Sequence, residues 1–189
     1  MTYNLGIGIH RRRSIRLKGY DYGQAGLYFI TICTQGRLCL FGNIENGKML
    51  LNDAGEMIGR WYCELECKFP DIKCREMIIM PNHLHFIVEN VGADLRVCPD
   101  LDHSRIADDP RTKGEHAGSP LRQVVQWFKT MTTNGYIRGV KQNHWQRFDK
   151  RLWQRNYYEH VVRDEKSYLN ISEYIKTNPS KWQDDTYYK

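Results

Sequence analysis

Hydrophobic and polar positions change their period several times along the chain, and these changes predict the order of its elements. A β-branched and aromatic run over residues 27–34 predicts a first strand, and the runs over 74–80 and 83–90 predict two more. Pro81-Asn82, between the last two runs, has the composition of a turn, so these strands form a hairpin. A further run near residues 152–163 predicts the last strand.

Three segments show the period of about 3.6 residues that is typical of amphipathic helices. The first begins after Asn52, a residue type that caps helix N-termini, and extends to about residue 67. The second covers about residues 120–133, and the third covers residues 164–178. The order β-α-β-β-α-β with a final helix predicts an α+β fold of the ferredoxin-like or RRM-like type. In it, an antiparallel sheet has helices packed on one face and a tyrosine-bearing helix at the C-terminal end.

Two segments lack a sustained apolar period. Residues 1–20 are rich in basic side chains and predict a basic N-terminal arm. Residues 91–119 contain Pro99, Pro110 and many aspartates, and they predict a mobile insertion. The length of 189 residues is that of one ordinary domain, so we expect residues 1–189 to form a single domain.

Composition narrows the classes of protein. The net charge of +6 suits a polyanionic partner, although basic proteins without such partners are common. The sequence contains neither an apolar run of membrane-spanning length nor an N-terminal signal peptide, so we expect a cytoplasmic protein that does not bind membranes. The 6 cysteines are scattered and include no Cys-x-x-Cys pair, which favours reduced thiols over disulfides or a zinc site.

Two histidines, His83 and His85, stand at the start of the second hairpin strand. Residues two apart on a strand point to the same face of a sheet, so the two imidazoles lie side by side while Leu84 points to the other face. Such a pair can hold one divalent metal ion. It also fits two imidazoles that are hydrogen-bonded at a half-buried sheet surface, so a second element has to decide between these interpretations.

The last predicted helix offers that second element. Tyr174 and Asn178 are four residues apart, about one helical turn, and lie on the same side of the helix as Ile171. A carboxamide oxygen, two imidazole nitrogens and water suit Mg²⁺ or Mn²⁺ better than a thiolate zinc site would. The phenol beside them would be a nucleophile. Alternatively, Tyr174 is a core aromatic with its hydroxyl at the rim, and Asn178 is a helix-terminal residue before Pro179.

The chain resembles a known family in two motifs, His83-Leu84-His85 and Tyr174-Ile175-Lys176-Thr177-Asn178-Pro179. They are similar to those of the HUH single-tyrosine transposases, and within these to the IS200-like REP-associated tyrosine transposases, whose helix carries a Tyr-Ile-x-x-Asn-Pro pattern. Further similar segments are residues 26–33, 125–129 and 153–163, so the likeness extends in motif order from about residue 11 to residue 181. His-x-His alone is unspecific, whereas the ordered set is specific.

The resemblance implies a set of roles. His83 and His85 would be metal ligands, Asn178 the third protein ligand, and Tyr174 the nucleophile, with Mg²⁺ or Mn²⁺ as the cofactor. The implied activity is cleavage of single-stranded DNA through a 5′-phosphotyrosine link, followed by strand transfer. The sequence leaves open which DNA sequence or hairpin is the partner, and whether Tyr174 acts within its own subunit or across a homodimer.

Basic and aromatic side chains supply candidate DNA contacts. Stacking of bases is expected of Trp127, Trp153, Tyr157 or Tyr158, although most of these aromatics fit a core equally well. The candidates for phosphate contacts are Arg11, Arg12, Arg13, Arg16, Lys18, Lys129 and Arg155.

Two other functions are compatible with such a fold. One is a domesticated DNA-hairpin-binding protein in which cleavage is lost or incidental, although the intact set of histidines, tyrosine and asparagine argues against it. The other is an RNA-binding ferredoxin-like domain, which would need a glycine-aromatic signature on its sheet that the sequence lacks.

Overall fold

The computed structural model describes residues 25–92 and 120–188. The candidate DNA contacts Arg11, Arg12, Arg13, Arg16 and Lys18 lie outside the described residues, as do the N-terminal arm and positions 93–119 of the predicted insertion. The described elements are, in chain order, β1 (Gly26–Cys33), β2 (Gly42–Glu45), β3 (Lys48–Leu51), α1 (Asp53–Lys68), β4 (Ile72–Ile79), β5 (His83–Asn90), α2 (Pro120–Gln142), β6 (Tyr158–Val162) and α3 (Glu165–Thr177). Short 3-10 helices cover Gln35–Arg37 and Asn178–Asp184.

The main sheet has the strand order β4-β5-β1-β6, and each neighbouring pair in it is antiparallel. This order follows from the β-α-β-β-α-β connectivity, because each helix returns the chain past an intervening strand. The predicted α+β fold with an antiparallel sheet is therefore confirmed. Strands β4 and β5 form the predicted hairpin, whose turn is closed by a hydrogen bond of 2.8 Å from the Met80 N–H to the His83 carbonyl.

The two faces of the sheet are covered by different helices. The larger core lies on the face that carries Leu84, Phe86 and Val88, and it includes the buried apolar residues of α1 and α2. The smaller core on the opposite face joins Phe29 and Ile87 of the sheet to α3 and its neighbours. Because side chains alternate along β5, this second face is also the one that carries His83 and His85.

The caps of two helices confirm the boundaries predicted for them. The Asn52 side chain accepts a hydrogen bond of 3.0 Å from the Gly55 N–H at the start of α1. The Asp164 side chain accepts one of 2.7 Å from the Ser167 N–H at the start of α3. Each bond satisfies an N–H group that has no partner within the helix, which fixes where the helix begins.

Three segments differ from the sequence-based expectation. No strand is predicted from the sequence between residue 34 and Asn52, but residues 42–51 form the hairpin β2–β3, whose turn residues Asn46 and Gly47 have φ values of 51° and 72°. Positive φ at both central residues is what a tight type I′ hairpin needs, so Asn-Gly was the signal for it. Helix α2 is predicted to end near residue 133, but it continues to Gln142, and Tyr136 adds a buried side chain to its apolar face. Strand β6 is shorter than predicted, since only Tyr158–Val162 pair with β1.

None of the helices among residues 25–92 and 120–188 is long and apolar enough to cross a bilayer. The same part of the chain contains no disulfide among its cysteines.

We expect Gly55→Ala to destabilise the protein, although alanine is the better helix former. A Cβ at Gly55 would lie 2.4 Å from the Phe41 carbonyl oxygen and 2.8 Å from Leu51 Cδ2, so the helix or the preceding loop must shift. The expected loss is about 1–3 kcal/mol of unfolding free energy. Gly59→Ala on the same helix is the control: its Cβ meets only Ile79 Cδ1 at 3.9 Å, so a gain of up to about 1 kcal/mol is expected. Urea unfolding measures both, and equal effects of the two changes would contradict the packing argument.

Candidate metal centre

The two histidines of β5 form the centre of a buried polar cluster. His83 and His85 are 0% and 1% exposed, and their Nε2 atoms lie 3.0 Å apart. The antiparallel register places His85 opposite Thr31 and His83 opposite Cys33 at the C-terminal end of β1. The predicted side-by-side arrangement of the imidazoles is therefore present, and both rings direct the same nitrogen to one point.

The neighbours of His83 fix its tautomer. The Asn82 Nδ2 group donates hydrogen bonds to the backbone carbonyls of Tyr187, at 2.8 Å, and Arg37, at 3.3 Å. Its Oδ1 atom therefore faces His83 Nδ1 at 2.9 Å and can only accept, which requires a proton on Nδ1. The Nε2 atom of the neutral ring then carries a lone pair directed into the cluster.

His85 has a partner that can adapt. Its Nδ1 lies 2.8 Å from the hydroxyl oxygen of Thr31, and a hydroxyl can either donate or accept. In the contact with His83, the His85 Nε2–H donates to the bare nitrogen of His83. If Thr31 accepts instead, the His85 proton moves to Nδ1 and both Nε2 atoms are free to bind a cation. Burial lowers the pKa of each histidine to about 3, so both rings are neutral at pH 7.

Helix α3 brings Tyr174 to this cluster. Ile175 is 2% exposed and anchors the helix against Phe29 and Ile87, with Tyr168 and Ile171 packed beside it. Tyr174, which precedes the anchor, places its hydroxyl 3.2 Å from His85 Nε2 and its ring edge-on to Phe29. The Tyr174 side chain remains 41% exposed, so it is not a core aromatic and a substrate can reach its hydroxyl from solvent.

Asn178 follows α3 and is 2% exposed. Its Nδ2 group donates a hydrogen bond of 3.1 Å to Asp185 Oδ2. Its Oδ1 atom is buried and has no hydrogen-bond partner among the described residues. A buried acceptor without a partner is costly, and a cation bound at this point would supply the missing interaction.

Asp185 is a member of the cluster that the sequence did not reveal. One carboxylate oxygen, Oδ2, lies 3.9 Å from His83 Nε2, and the side chain is 4% exposed. The other oxygen accepts a hydrogen bond of 2.6 Å from the Tyr187 N–H, which fixes its orientation. Ligand atoms of His83, His85 and Asp185 all lie within 4.8 Å of one another, so these residues form a group that could bind a metal ion.

The electrostatics of the cluster oppose ionisation of the tyrosine. Burial, followed by the negative field of Asp185 and the neighbouring Tyr187, raises the pKa of Tyr174 to about 12, and a hydrogen bond with Asn178 offsets only part of this. A phenol with that pKa is a weak nucleophile at pH 7. A divalent cation among the histidines would reverse the sign of the field at its oxygen.

The remaining candidates for DNA contacts are separate from this cluster. The Lys129 ammonium donates hydrogen bonds to the carbonyls of Gln154, at 2.6 Å, and Arg155, at 3.2 Å. Both Lys129 and Arg155 line a groove beside α2. Trp153 is 3% exposed and donates its indole N–H to Thr132, so this side chain belongs to the core.

Comparison with known proteins gives relatives of the chain. No family model matches it. An uncharacterized protein of Haemophilus influenzae is 41% identical over 191 residues, which cover 100% of this chain and 99% of that protein. A second protein of that organism, named "Putative REP-associated tyrosine transposase", is 25% identical over 164 residues, or 85% of this chain and 74% of that protein.

A solved structure of a REP-associated tyrosine transposase bound to a REP hairpin has the same fold. The TM-score is 0.53 at 19% sequence identity, and the match covers 89% of this chain and 74% of the other. The ordered motifs, the fold and the second relative agree: the chain resembles the HUH single-tyrosine transposases and, among them, the IS200-like REP-associated tyrosine transposases.

Proposed function

We propose that this protein is a metal-dependent endonuclease and strand transferase for single-stranded DNA, which acts through a 5′-phosphotyrosine intermediate on Tyr174. The observation that carries the proposal is the distance of 3.2 Å between the Tyr174 hydroxyl and His85 Nε2. His85 belongs to a cluster of side chains of the kinds that bind metal ions. A solvent-accessible phenol beside such a cluster is an arrangement suited to attack on a phosphodiester.

The cluster fits a hard divalent cation such as Mg²⁺ or Mn²⁺. His83 and His85 would hold it through their Nε2 atoms, Asn178 through its partnerless Oδ1 atom, and Asp185 would add a carboxylate oxygen. Such a set of nitrogen and oxygen donors would suit an ion of this kind. The bound ion would polarise the scissile phosphate and stabilise charge on the departing oxygen.

Tyr174 is the nucleophile that attacks the phosphodiester. Its phenol proton passes to solvent, which the exposed side chain allows, and its oxygen forms a bond to the phosphorus. The bond between the phosphorus and the 3′ oxygen breaks, and that oxygen takes a proton from water to give a free 3′-OH. The 5′ phosphate remains linked to Tyr174.

The covalent link accounts for strand transfer. The phosphotyrosine diester conserves the energy of the original phosphodiester, so the 3′-OH of another strand can attack it and release Tyr174 without ATP. Because the described residues of one chain bring Tyr174 to the cluster, we propose that Tyr174 acts within its own subunit. A homodimer could still serve to hold two DNA ends.

The substrate class is proposed from the partial exposure of Tyr174 and from the resemblance to the transposases. Single-stranded DNA can bring a phosphate to the partly buried hydroxyl of Tyr174, whereas the phosphates of a duplex are held on a stiff double helix. A related transposase is known bound to a REP hairpin. We therefore propose single-stranded DNA next to a hairpin as the substrate, with hairpin binding without cleavage as the alternative.

The decisive experiment uses the chromosomal DNA that flanks the protein's own gene. Labelled single strands of both polarities, with and without hairpins, are incubated with the protein and Mn²⁺ or Mg²⁺. The expected result is a covalent protein–DNA band that resists denaturation and a second product with a free 3′-OH, both absent in EDTA. Specific hairpin binding without a covalent band under any of these conditions would favour the alternative.

A further inference from the structure

A groove between α2 and the segment before β6 is lined by positive charge. It has a volume of about 590 Å³, and no aspartate or glutamate occurs among the described residues that line it. The cations on its walls are Arg122, Lys129, Lys150, Arg151 and Arg155. Such a surface concentrates positive potential and attracts polyanions.

The lining charges differ in their freedom to bind an anion. The ammonium of Lys150 lies 3.9 Å from the carboxylate of Asp149, and both side chains are 86% exposed, so this pair offsets part of its own charge. Arg122, Arg151 and Arg155 are exposed. Burial and then the nearby charge of Arg151 lower the pKa of Lys129 to about 8, and the second of these causes reflects the proximity of the two cations.

Lys129 fixes the shape of one wall. Its hydrogen bonds to the carbonyls of Gln154 and Arg155 hold the segment that carries the arginines against α2. The same segment is tied to the sheet, because Gln154 donates from its backbone N–H to the Cys33 carbonyl at 2.9 Å and from its side chain to the Thr34 carbonyl at 3.2 Å. The groove is therefore built onto the end of β1 that pairs with His83.

Two consecutive tyrosines connect the groove with the face that carries Tyr174. Tyr157 lines the groove. Tyr158 pairs with Thr31 and so points to the opposite face of the sheet, where it is 45% exposed. Its ring packs edge-on to Phe29 with the centroids 6.4 Å apart, and Tyr174 packs edge-on to the same Phe29 at 6.3 Å. Tyr158 and Tyr174 thus flank one aromatic ring at the edge of the sheet.

We propose that the groove and the exposed Tyr158 form a track for single-stranded DNA, in which a base next to the scissile phosphate stacks on Tyr158 and the following phosphates bind Arg151, Arg155 and Arg122. This inference rests on the proposed function, because it takes Tyr174 as the point of attack. The track leads around β6, which is the edge strand of the sheet.

The aromatic component favours a single strand over a duplex. A base must be unpaired and unstacked to lie on a protein ring, whereas a positive groove alone would bind either form. The proposed path of the DNA also passes from the face of the sheet beside Tyr157 to the opposite face beside Tyr158, two neighbouring residues. A flexible single strand can follow this turn, and a stiff double helix cannot.

Binding in EDTA tests the track separately from catalysis. Fluorescence anisotropy is measured with a labelled oligo-dT 20-mer and a 20-base-pair duplex over a range of salt concentrations. The triple variant Arg122→Gln, Arg151→Gln, Arg155→Gln should bind the single strand about tenfold more weakly at moderate salt. Its salt slope should fall by roughly two units, at about 0.7 per lost phosphate contact. The charge-matched control Arg60→Gln, Arg138→Gln, Lys141→Gln changes exposed cations outside the groove and should bind like the wild type.

Tyr158 gives an independent readout. Tyr158→Ala should weaken binding of the single strand by about tenfold, the scale of one lost base stack, without changing the salt slope. Tyr158→Phe keeps the ring and should bind normally. Unchanged binding by Tyr158→Ala, equal losses in the two triple variants, or a preference of the wild type for the duplex would each overturn the track. A loss of binding in the groove variants would support it even if no covalent product were found, so its failure is distinguishable from failure of the cleavage mechanism.

Discussion

Tyr174→Phe should abolish the covalent protein–DNA product while the protein stays folded and still binds DNA. Phenylalanine keeps the ring that packs edge-on to Phe29 and removes only the oxygen 3.2 Å from His85 Nε2. We expect the covalent band to fall by roughly a thousandfold or more, the scale seen when a catalytic nucleophile is removed. Unfolding free energy should change by no more than about 1 kcal/mol, because the lost hydroxyl is at the rim of the cluster.

The control is Tyr158→Phe. Tyr158 is also exposed and also packs edge-on to Phe29, so this change removes a matched hydroxyl from a matched environment. It should leave the covalent band unchanged. Denaturing gels of labelled strands measure both variants at equal bound fraction, and mass spectrometry of the wild-type adduct should place the DNA on the peptide that contains Tyr174.

Cleavage by Tyr174→Phe at the wild-type rate would overturn the assignment. A product with a free 5′ phosphate would then identify water as the attacking group, and the tyrosine would be a positioning residue for the DNA. If Tyr174→Phe and Tyr158→Phe lost the band together, removal of either hydroxyl would suffice to stop the reaction, and the two variants would no longer single out Tyr174 as the nucleophile.

The parts of the fold that depend on local patterns could be predicted from the sequence. The alternation along β5 placed Leu84 and His85 on opposite faces, and the caps Asn52 and Asp164 stand where their helices begin. The spacing of Tyr174 from the apolar stripe of α3 also predicted that the phenol would reach the histidine face. In each case the period of one element, 2 for a strand or about 3.6 for a helix, decides the direction of a side chain.

Features that depend on contacts between distant segments were not predictable in this way. Asp185 follows a short 3-10 helix, and nothing in its local sequence indicates that the chain turns back to place its carboxylate 3.9 Å from His83. The positive groove likewise combines Arg122 of α2 with Arg151 and Arg155 from an irregular segment. The hairpin β2–β3 is different, because its Asn46-Gly47 turn is a local signal for a tight hairpin that the sequence-based prediction did not use.

Removal of either histidine should weaken metal binding and abolish cleavage. His83 and His85 would supply the two nitrogen ligands, so His83→Ala or His85→Ala leaves the ion with a single imidazole and the oxygen donors. Mn²⁺ affinity, measured from the free-ion signal in electron paramagnetic resonance without DNA, should fall by about tenfold or more, and the covalent band should disappear. Binding of the single strand in EDTA should remain near the wild-type value, because the proposed track does not include these residues.

Three further variants, tested for Mn²⁺ affinity in the same way, distinguish metal ligands from nearby residues that do not bind the ion. His160→Ala changes an exposed histidine on the same face of the sheet, where His160 pairs with Phe29, and it should bind Mn²⁺ normally. Asp185→Asn keeps the shape of the side chain but removes its negative charge, so a reduced Mn²⁺ affinity would support a carboxylate ligand. Asn178→Leu removes the buried Oδ1 atom. If this atom is a ligand, Mn²⁺ affinity should fall in this variant as well. Wild-type Mn²⁺ affinity in both His83→Ala and His85→Ala would refute the metal centre, because a cation that needs neither imidazole must lie elsewhere in the protein.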